Sequence, residues 1–89
     1  MSGDHLLRLR PEGVEWREID GEIVALETGR SIYLAANPAG ALLWARLAQG
    51  ATRDELILAL RDRWPIEADR AASDVDAFLD QVRANDLLA

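Results

Sequence analysis

Few side chains in this sequence have both the type and the neighbours that catalysis requires. The chain contains neither cysteine nor lysine, and its single histidine, His5, lies close to the N-terminus. A general base must be held in place by its surroundings, and nothing in the sequence around His5 predicts such support. Ser31 and Ser73 have no histidine that the sequence places near them. We therefore expect no catalytic residue in this chain.

Carboxylates are plentiful in the last third of the chain, where four aspartates crowd one predicted helix: Asp69, Asp74, Asp76 and Asp80. Asp76 and Asp80 stand four residues apart and would share a helix face, as a metal site or an acid–base pair requires. A solvated acidic helix face is the far commoner use of such a run. No glycine-rich phosphate loop occurs, because the six glycines are scattered singly. The sequence thus predicts no metal site, no cofactor and no enzymatic activity.

The composition is that of a small globular protein with one domain. The 89 residues are 49% hydrophobic and 29% charged, and the formal net charge is −6. This acidic balance disfavours a surface that neutralises nucleic-acid phosphates or anionic lipid. No apolar run approaches the roughly 20 residues that span a bilayer, and the N-terminal sequence lacks the pattern of a secretory signal. A cytoplasmic location is the expectation, with neither nucleic acid nor a membrane as partner.

Three antiparallel strands are predicted in the first half of the chain. Residues 1–12 show little periodicity and are expected to form a flexible N-terminal arm, so that residues 13–89 make up the domain. The strands are "VEWREI" (14–19), "EIVALE" (22–27) and "SIYLA" (31–35), each separated from the next by a short turn. Asp20-Gly21 suits a two-residue type I′ turn. Four consecutive apolar residues, 23–26, predict a middle strand that is buried on both faces.

Three helices are predicted in the second half of the chain. The first spans roughly 38–48, with Asn37 as its N-cap and Pro38 at its first position. The second spans about 53–63 and begins with a capping box between Thr52 and Glu55. The third runs from about 68 to 84, with an apolar stripe at 75, 78, 79 and 82. The predicted fold is therefore α+β, a winged-helix-like domain in which a three-stranded antiparallel meander precedes three helices.

A winged helix raises the alternative of a DNA-binding transcription regulator. In such a protein the last helix would enter the major groove and carry basic side chains toward phosphates and bases. Residues 67–89 instead contain six acidic residues against two arginines. Because phosphate contacts need cations, this segment would be repelled by DNA, and the electrostatics oppose the alternative.

The two outer strands of the predicted meander differ in how their edges are protected. The first strand carries Glu15, Arg17 and Glu18, whereas nothing between Ser31 and Pro38 is charged. An unprotected edge is either covered by the protein itself or left for a peptide that adds as a further strand. The residues alone leave both interpretations open. A third possibility is that the edge pairs with a second copy of the chain.

About three quarters of the chain resembles the PqqD-like family, the peptide-recognition domains of ribosomal natural-product pathways. The resemblance is carried by Gly29, Tyr33, Leu34 and Asn37, by "G..LW..L..G.T..EL" from Gly40 to Leu56, and by "DV..FL..V...DLL" from Asp74 to Leu88. Two extra alanines before Asn37 depart from the family pattern and leave the end of the third strand open.

The resemblance implies that the chain captures the leader segment of a precursor peptide, without catalysis, for processing by partner enzymes. The leader would lie as an extra strand along the third strand, in the cleft beside the third helix. The strand edge would be Ser31, Ile32, Tyr33, Leu34 and Ala35, and the cleft wall Ala72, Val75, Asp76, Leu79 and Arg83. Val75 and Leu79 are equally suited to the core. The acidic third helix predicts some basic residues in the leader.

Within this family, a chain of this length with "LETGRSIYLA" looks most like the recognition proteins of lasso-peptide pathways. That resemblance implies a leader peptidase and a macrocyclase as further partners. The pyrroloquinoline-quinone peptide chaperone is similar in size and is the alternative within the family.

Overall fold

The computed structural model describes residues 5–10, 12–27, 31–35 and 37–89, and for residue 27 and residues 31–35 it describes the backbone. The predicted turn at 28–30 lies outside the described residues. Elements follow in the order β1 (Leu6–Leu7), β2 (Val14–Ile19), β3 (Glu22–Glu27), β4 (Ser31–Ala35), α1 (Pro38–Gln49), β5 (Ala51–Thr52), α2 (Arg53–Arg63) and α3 (Ala68–Ala84). The predicted α+β fold, with a meander before three helices, is confirmed.

Strands β2, β3 and β4 form a three-stranded antiparallel sheet in sequence order. The β2–β3 turn is Asp20-Gly21, with φ of 53° and 81°, the positive values that a type I′ turn needs at both central residues. Across the sheet, the Cα of Trp16 lies opposite that of Ala25, and Ala25 opposite Tyr33. The register between β2 and β3 therefore follows from a two-residue turn that the sequence specifies.

The helices cover only one face of this sheet. Ile23 and Ala25 are buried, at 1% and 0% exposure, whereas Val24 is half-buried and Leu26 is 49% exposed. The prediction that β3 is buried on both faces was therefore wrong. Successive side chains of a strand point to opposite faces, so one helical layer can bury only every second residue.

Capping residues set the starts of α1 and α2. Asn37 accepts a hydrogen bond from the backbone N–H of Gly40 at 2.7 Å, and Pro38 follows at the first helical position. At α2, the Thr52 hydroxyl accepts from the N–H of Glu55, and the Glu55 carboxylate accepts from the N–H of Thr52. Both caps were predicted from local sequence alone, and both are confirmed.

Helix α3 contributes the largest apolar stripe to the core. Its buried residues are Ala71, Val75, Phe78, Leu79 and Val82. They pack with Leu43, Trp44 and Leu47 of α1 and with Leu56 and Leu60 of α2. Trp44 also meets Trp16 of the sheet edge-to-face, with ring centroids 5.9 Å apart. The core thus lies between the three helices and the inner face of the sheet.

Residues 5–10 belong to the segment that was predicted to be a flexible arm, and they make specific contacts with the domain. Strand β1 pairs antiparallel with β5, and Leu9 bridges to Leu88 near the C-terminus. The N–H of Arg10 donates to the carbonyl of Leu87 at 2.9 Å, and the side chain of Arg10 forms an ion pair with Asp86. The flexibility of the arm stays a prediction, which these contacts oppose for residues 5–10.

Candidate functional site: a strand edge beside a helical groove

Strand β4 forms one edge of the three-stranded sheet. It pairs with β3 along its whole length, and no other strand pairs with it in the part of the chain that the structure describes. The opposite edge, β2, exposes Glu15, Arg17 and Glu18. An edge strand presents a row of backbone N–H and C=O groups that a further strand can pair with. The predicted asymmetry between a charged edge and an uncharged edge is thus present in the sheet.

A groove of about 460 Å³ is lined by Asn37, which follows the end of β4 by two residues, and by parts of α1 and α3. We call it the α1–α3 groove, because its two walls come from the start of α1 and from one flank of α3. Trp64, between α2 and α3, also lines it. The lining residues are Asn37, Pro38, Ala39, Gly40, Leu43, Trp64, Asp74, Ala77, Phe78 and Gln81.

The spacing of the α3 residues explains why they form one wall. Residues 74, 77, 78 and 81 stand at i, i+3, i+4 and i+7, so they follow one stripe along the helix. Facing them, the N-cap Asn37 follows the end of β4 by two residues, and α1 begins at Pro38. The cap therefore places the end of the strand edge next to the groove.

The α1–α3 groove has an apolar floor and an acidic rim. Leu43 and Phe78 are 2% and 7% exposed, and Trp64 is half-buried. Asp74 is the only charged residue among the described residues that line the groove. Such a groove can accept an apolar side chain and place a cation beside a carboxylate.

The predicted cleft wall lies elsewhere on α3. Val75 and Leu79 are 0% and 2% exposed and belong to the core, and Ala72 is half-buried. At 100° per residue, Ala72, Asp76 and Arg83 lie on the flank of the helix opposite to the groove stripe. None of these residues lines the α1–α3 groove. Their role in binding stays a prediction, and the groove's geometry does not support it.

Asp76 is engaged in an ion pair with α2. Arg53 donates from Nε to Oδ1 at 2.8 Å and from Nη2 to Oδ2 at 2.9 Å. These hydrogen bonds hold the pKa of the Asp76 carboxyl below its usual range, and the nearby charges of Arg53 and Arg83 add to the effect. The same hydrogen bonds raise the pKa of Arg53. Asp76 therefore joins two helices on the side away from the groove.

Sequence reasoning missed Asp74, Ala77 and Gln81 as groove residues. The sequence did contain a signal for them, because their spacing places them on the same stripe of the helix as Phe78. What the sequence did not provide was the side on which α1 meets α3, and this decides which flank of α3 lines the groove.

A second groove, of about 760 Å³, lies near the end of α1 and along α2. Its charged lining residues have both signs: Arg46, Glu55, Arg61 and Asp62. Among the described residues, its lining comes from the end of α1, from β5 and α2 and from the segment after α2, and it includes no residue of α3.

The described residues hold no group of three or more histidines, aspartates and glutamates that could bind a metal ion. Within the same ranges, no helix is both long and apolar enough to cross a membrane. His5 and Ser73 are exposed.

Comparison with known proteins gives one family and one fold. The family described as coenzyme PQQ synthesis protein D (PqqD) matches residues 22–88. Among solved structures, TbiB1 in complex with the TbiA(beta) leader peptide matches with a TM-score of 0.82 and 21% sequence identity. The alignment covers 91% of this chain and 93% of that one. No curated protein sequence matches significantly.

Proposed function

Because this chain belongs to the PqqD family, we propose that it binds the leader segment of a ribosomally made precursor peptide as an added strand along β4. The observation that carries the proposal is an uncharged edge strand, β4, that ends two residues before Asn37, which lines the α1–α3 groove. The chain acts as a non-catalytic recognition protein in this proposal.

In this proposal the β4 edge pairs with the backbone of the leader, and the groove binds leader side chains. Backbone pairing with β4 supplies affinity that is independent of sequence, because every residue of a leader except proline offers an N–H and a C=O. Alternate side chains of an added strand point to the same face, so leader residues two positions apart near the end of β4 can both point toward the groove. A protein of the same fold, TbiB1, has been solved in complex with a leader peptide, which supports a leader peptide as the ligand.

We further propose that the bound leader is delivered to partner enzymes in the cytoplasm. The likeness of "LETGRSIYLA" to lasso-peptide recognition proteins favours a leader peptidase and a macrocyclase as those partners. A pathway for pyrroloquinoline quinone is the second candidate, and it is favoured by the description of the family, which names coenzyme PQQ synthesis.

A binding titration tests the proposal and separates the pathways. Fluorescently labelled leader peptides from a lasso precursor and from a pyrroloquinoline-quinone precursor are titrated with the protein, and anisotropy is measured. Saturable binding of one class, in the micromolar range or tighter, is expected. Binding of double-stranded DNA with a steep salt dependence, and of neither peptide, would instead indicate a transcription regulator. A tight dimer in sedimentation, unaffected by either leader, would indicate that β4 pairs with its own copy.

Two adjacent proline variants test the edge itself. Successive N–H groups of a strand point to opposite sides, so one of Tyr33→Pro and Leu34→Pro removes a donor to β3 and the other removes an outward donor. Circular dichroism identifies the variant that keeps the fold. That variant should lose leader binding, whereas Arg17→Pro or Glu18→Pro on the β2 edge, if folded, should retain it. Full binding by the folded β4 variant would contradict the proposed edge.

A further inference from the structure

Asp74 lies on the α3 wall of the α1–α3 groove. Among the lining residues that the structure describes, it is the only charged one, and none of these is basic. Its side chain is 46% exposed, so the carboxylate lies at the rim while Leu43 and Phe78 form the floor. Any peptide side chain that enters here meets a negative charge.

The carboxylate of Asp74 is held only weakly by the protein. Its ion pair is with Arg70, one helical turn earlier, at a distance of 3.8 Å between Nε and Oδ2. Arg70 is 74% exposed, and exposed pairs of this kind contribute little. Asp76 differs, because Arg53 occupies both of its carboxylate oxygens at 2.8 and 2.9 Å. Of these two acids, Asp74 is the one that can exchange its partner for a cation of a ligand.

The spacing along the groove matches that of an extended peptide. Asp74 and Phe78 stand four positions apart on α3, which is about 6 Å along the helix axis. Side chains at i and i+2 of a strand point the same way and stand about 6.7 Å apart. A strand that lies along this flank can therefore place one side chain over Phe78 and the next on the same face beside Asp74.

We propose that Asp74 is a specificity-determining residue that selects a lysine or arginine two positions from an apolar anchor in the bound leader. The inference rests on the proposed function and adds the chemistry of the ligand to it. The acidic charge of α3 as a whole does not make this selection, since Asp76 is paired on the opposite flank and Asp80 does not line the groove.

A peptide selection tests this assignment without a known leader. A displayed library of random peptides of about twelve residues, long enough to pair along a strand edge, is selected on the full chain, on Asp74→Asn and on Asp80→Asn. Asp80→Asn is the matched control, because it removes the same charge from an exposed position of the same helix. We expect the wild-type chain and Asp80→Asn to select peptides in which a basic residue lies two positions from an apolar residue. On Asp74→Asn the apolar preference should persist and the basic preference should disappear.

The best selected peptide then provides an equilibrium measurement. Replacing its basic residue with norleucine should weaken binding to the wild-type chain about fivefold, as the loss of a partly exposed ion pair does. The same replacement should leave the affinity of Asp74→Asn unchanged. Equal losses on both proteins would overturn the assignment of Asp74. So would selected peptides that bind the β4 edge without any basic preference, although these would leave the proposed function standing. Selection of no peptide by any of the three proteins would count against the proposed function itself.

Discussion

Arg53 and Asp76 join the first turn of α2 to the middle of α3 through two parallel hydrogen bonds, at 2.8 and 2.9 Å. The two flanks of α3 therefore have different roles. One flank is used to connect the helices, and the other, from Asp74 to Gln81, forms a wall of the α1–α3 groove.

This pair predicts a pH dependence of stability. The pKa of Asp76 is lower in the folded chain than its usual range, so the pair stabilises the fold above the ordinary carboxyl pKa. That stabilisation is lost as the pH falls through the folded-state pKa. Asp76→Asn should therefore melt a few degrees lower at most at neutral pH, because both side chains are about half exposed. The difference should shrink as the pH falls through the folded-state pKa of Asp76.

Thermal unfolding of the wild type, Asp76→Asn and Asp80→Asn across this range measures the effect. Asp80→Asn controls for the general loss of an acidic charge from α3. A difference between wild type and Asp76→Asn that grows as the pH falls would contradict the assigned direction. Leader affinity should be the same for Asp76→Asn and the wild type at neutral pH.

Filling the groove should block binding without loss of stability. Ala77 is exposed and lines the groove, so Ala77→Trp places a large ring where a leader side chain would lie. We expect at least about a tenfold loss of leader affinity, as expected when a buried anchor is displaced, with little change in melting temperature. Ser73→Trp, an exposed position of α3 outside the groove lining, is the control. An equal loss in both variants would show that the groove is not the site.

Leu79 is assigned to the core rather than to the leader site. It is 2% exposed, so Leu79→Ala should lower the free energy of unfolding by about 2–5 kcal/mol. Leu58→Ala removes a leucine that is 62% exposed and should change stability little. Urea titrations measure both. Unchanged stability of Leu79→Ala together with lost leader binding would return Leu79 to the binding site.

The N-terminal contacts predict slow amide exchange near both ends of the chain. The N–H groups of Arg10 and Ala89 donate to the carbonyls of Leu87 and Arg8, each at 2.9 Å. Hydrogen exchange followed by NMR should show protection at both amides. The amide of Glu12, which precedes β2 in a bend, offers a comparison within the same chain. Exchange of Arg10 and Ala89 at the rate of an unfolded peptide would favour a flexible arm.

The sequence predicted the fold where local chemistry specifies it. The Asp20-Gly21 turn, the Asn37-Pro38 cap and the Thr52–Glu55 capping box each depend on residues within four positions, and all three lie as expected. Strand β1 was missed because it is two residues long and pairs with β5 across more than forty residues of chain. Nothing in a two-leucine run distinguishes such a strand from a loop.

The candidate site was only partly predictable for the same reason. The β4 edge could be located from the absence of charge between Ser31 and Pro38, since this is a property of consecutive residues. The flank of α3 that lines the groove could not be located in this way, because Asp76 and Asp74 look equivalent in the sequence. The way in which α1 and α2 pack against α3 places Asp76 beside Arg53 and Asp74 at the groove. The prediction that residues 23–26 are buried on both faces of the sheet was wrong. An apolar run does not show whether helices cover one face of a sheet or both.

The most direct test of the central claim is amide exchange of residues 31–35 with and without a leader peptide that binds in the anisotropy titration. An added strand should slow the exchange of alternate β4 amides, those that point away from β3, while the outward amides of β2 remain unchanged. Such alternating protection is the predicted result. Saturating leader that leaves β4 exchange unchanged, or that protects β2 instead, would contradict the proposed mode of binding.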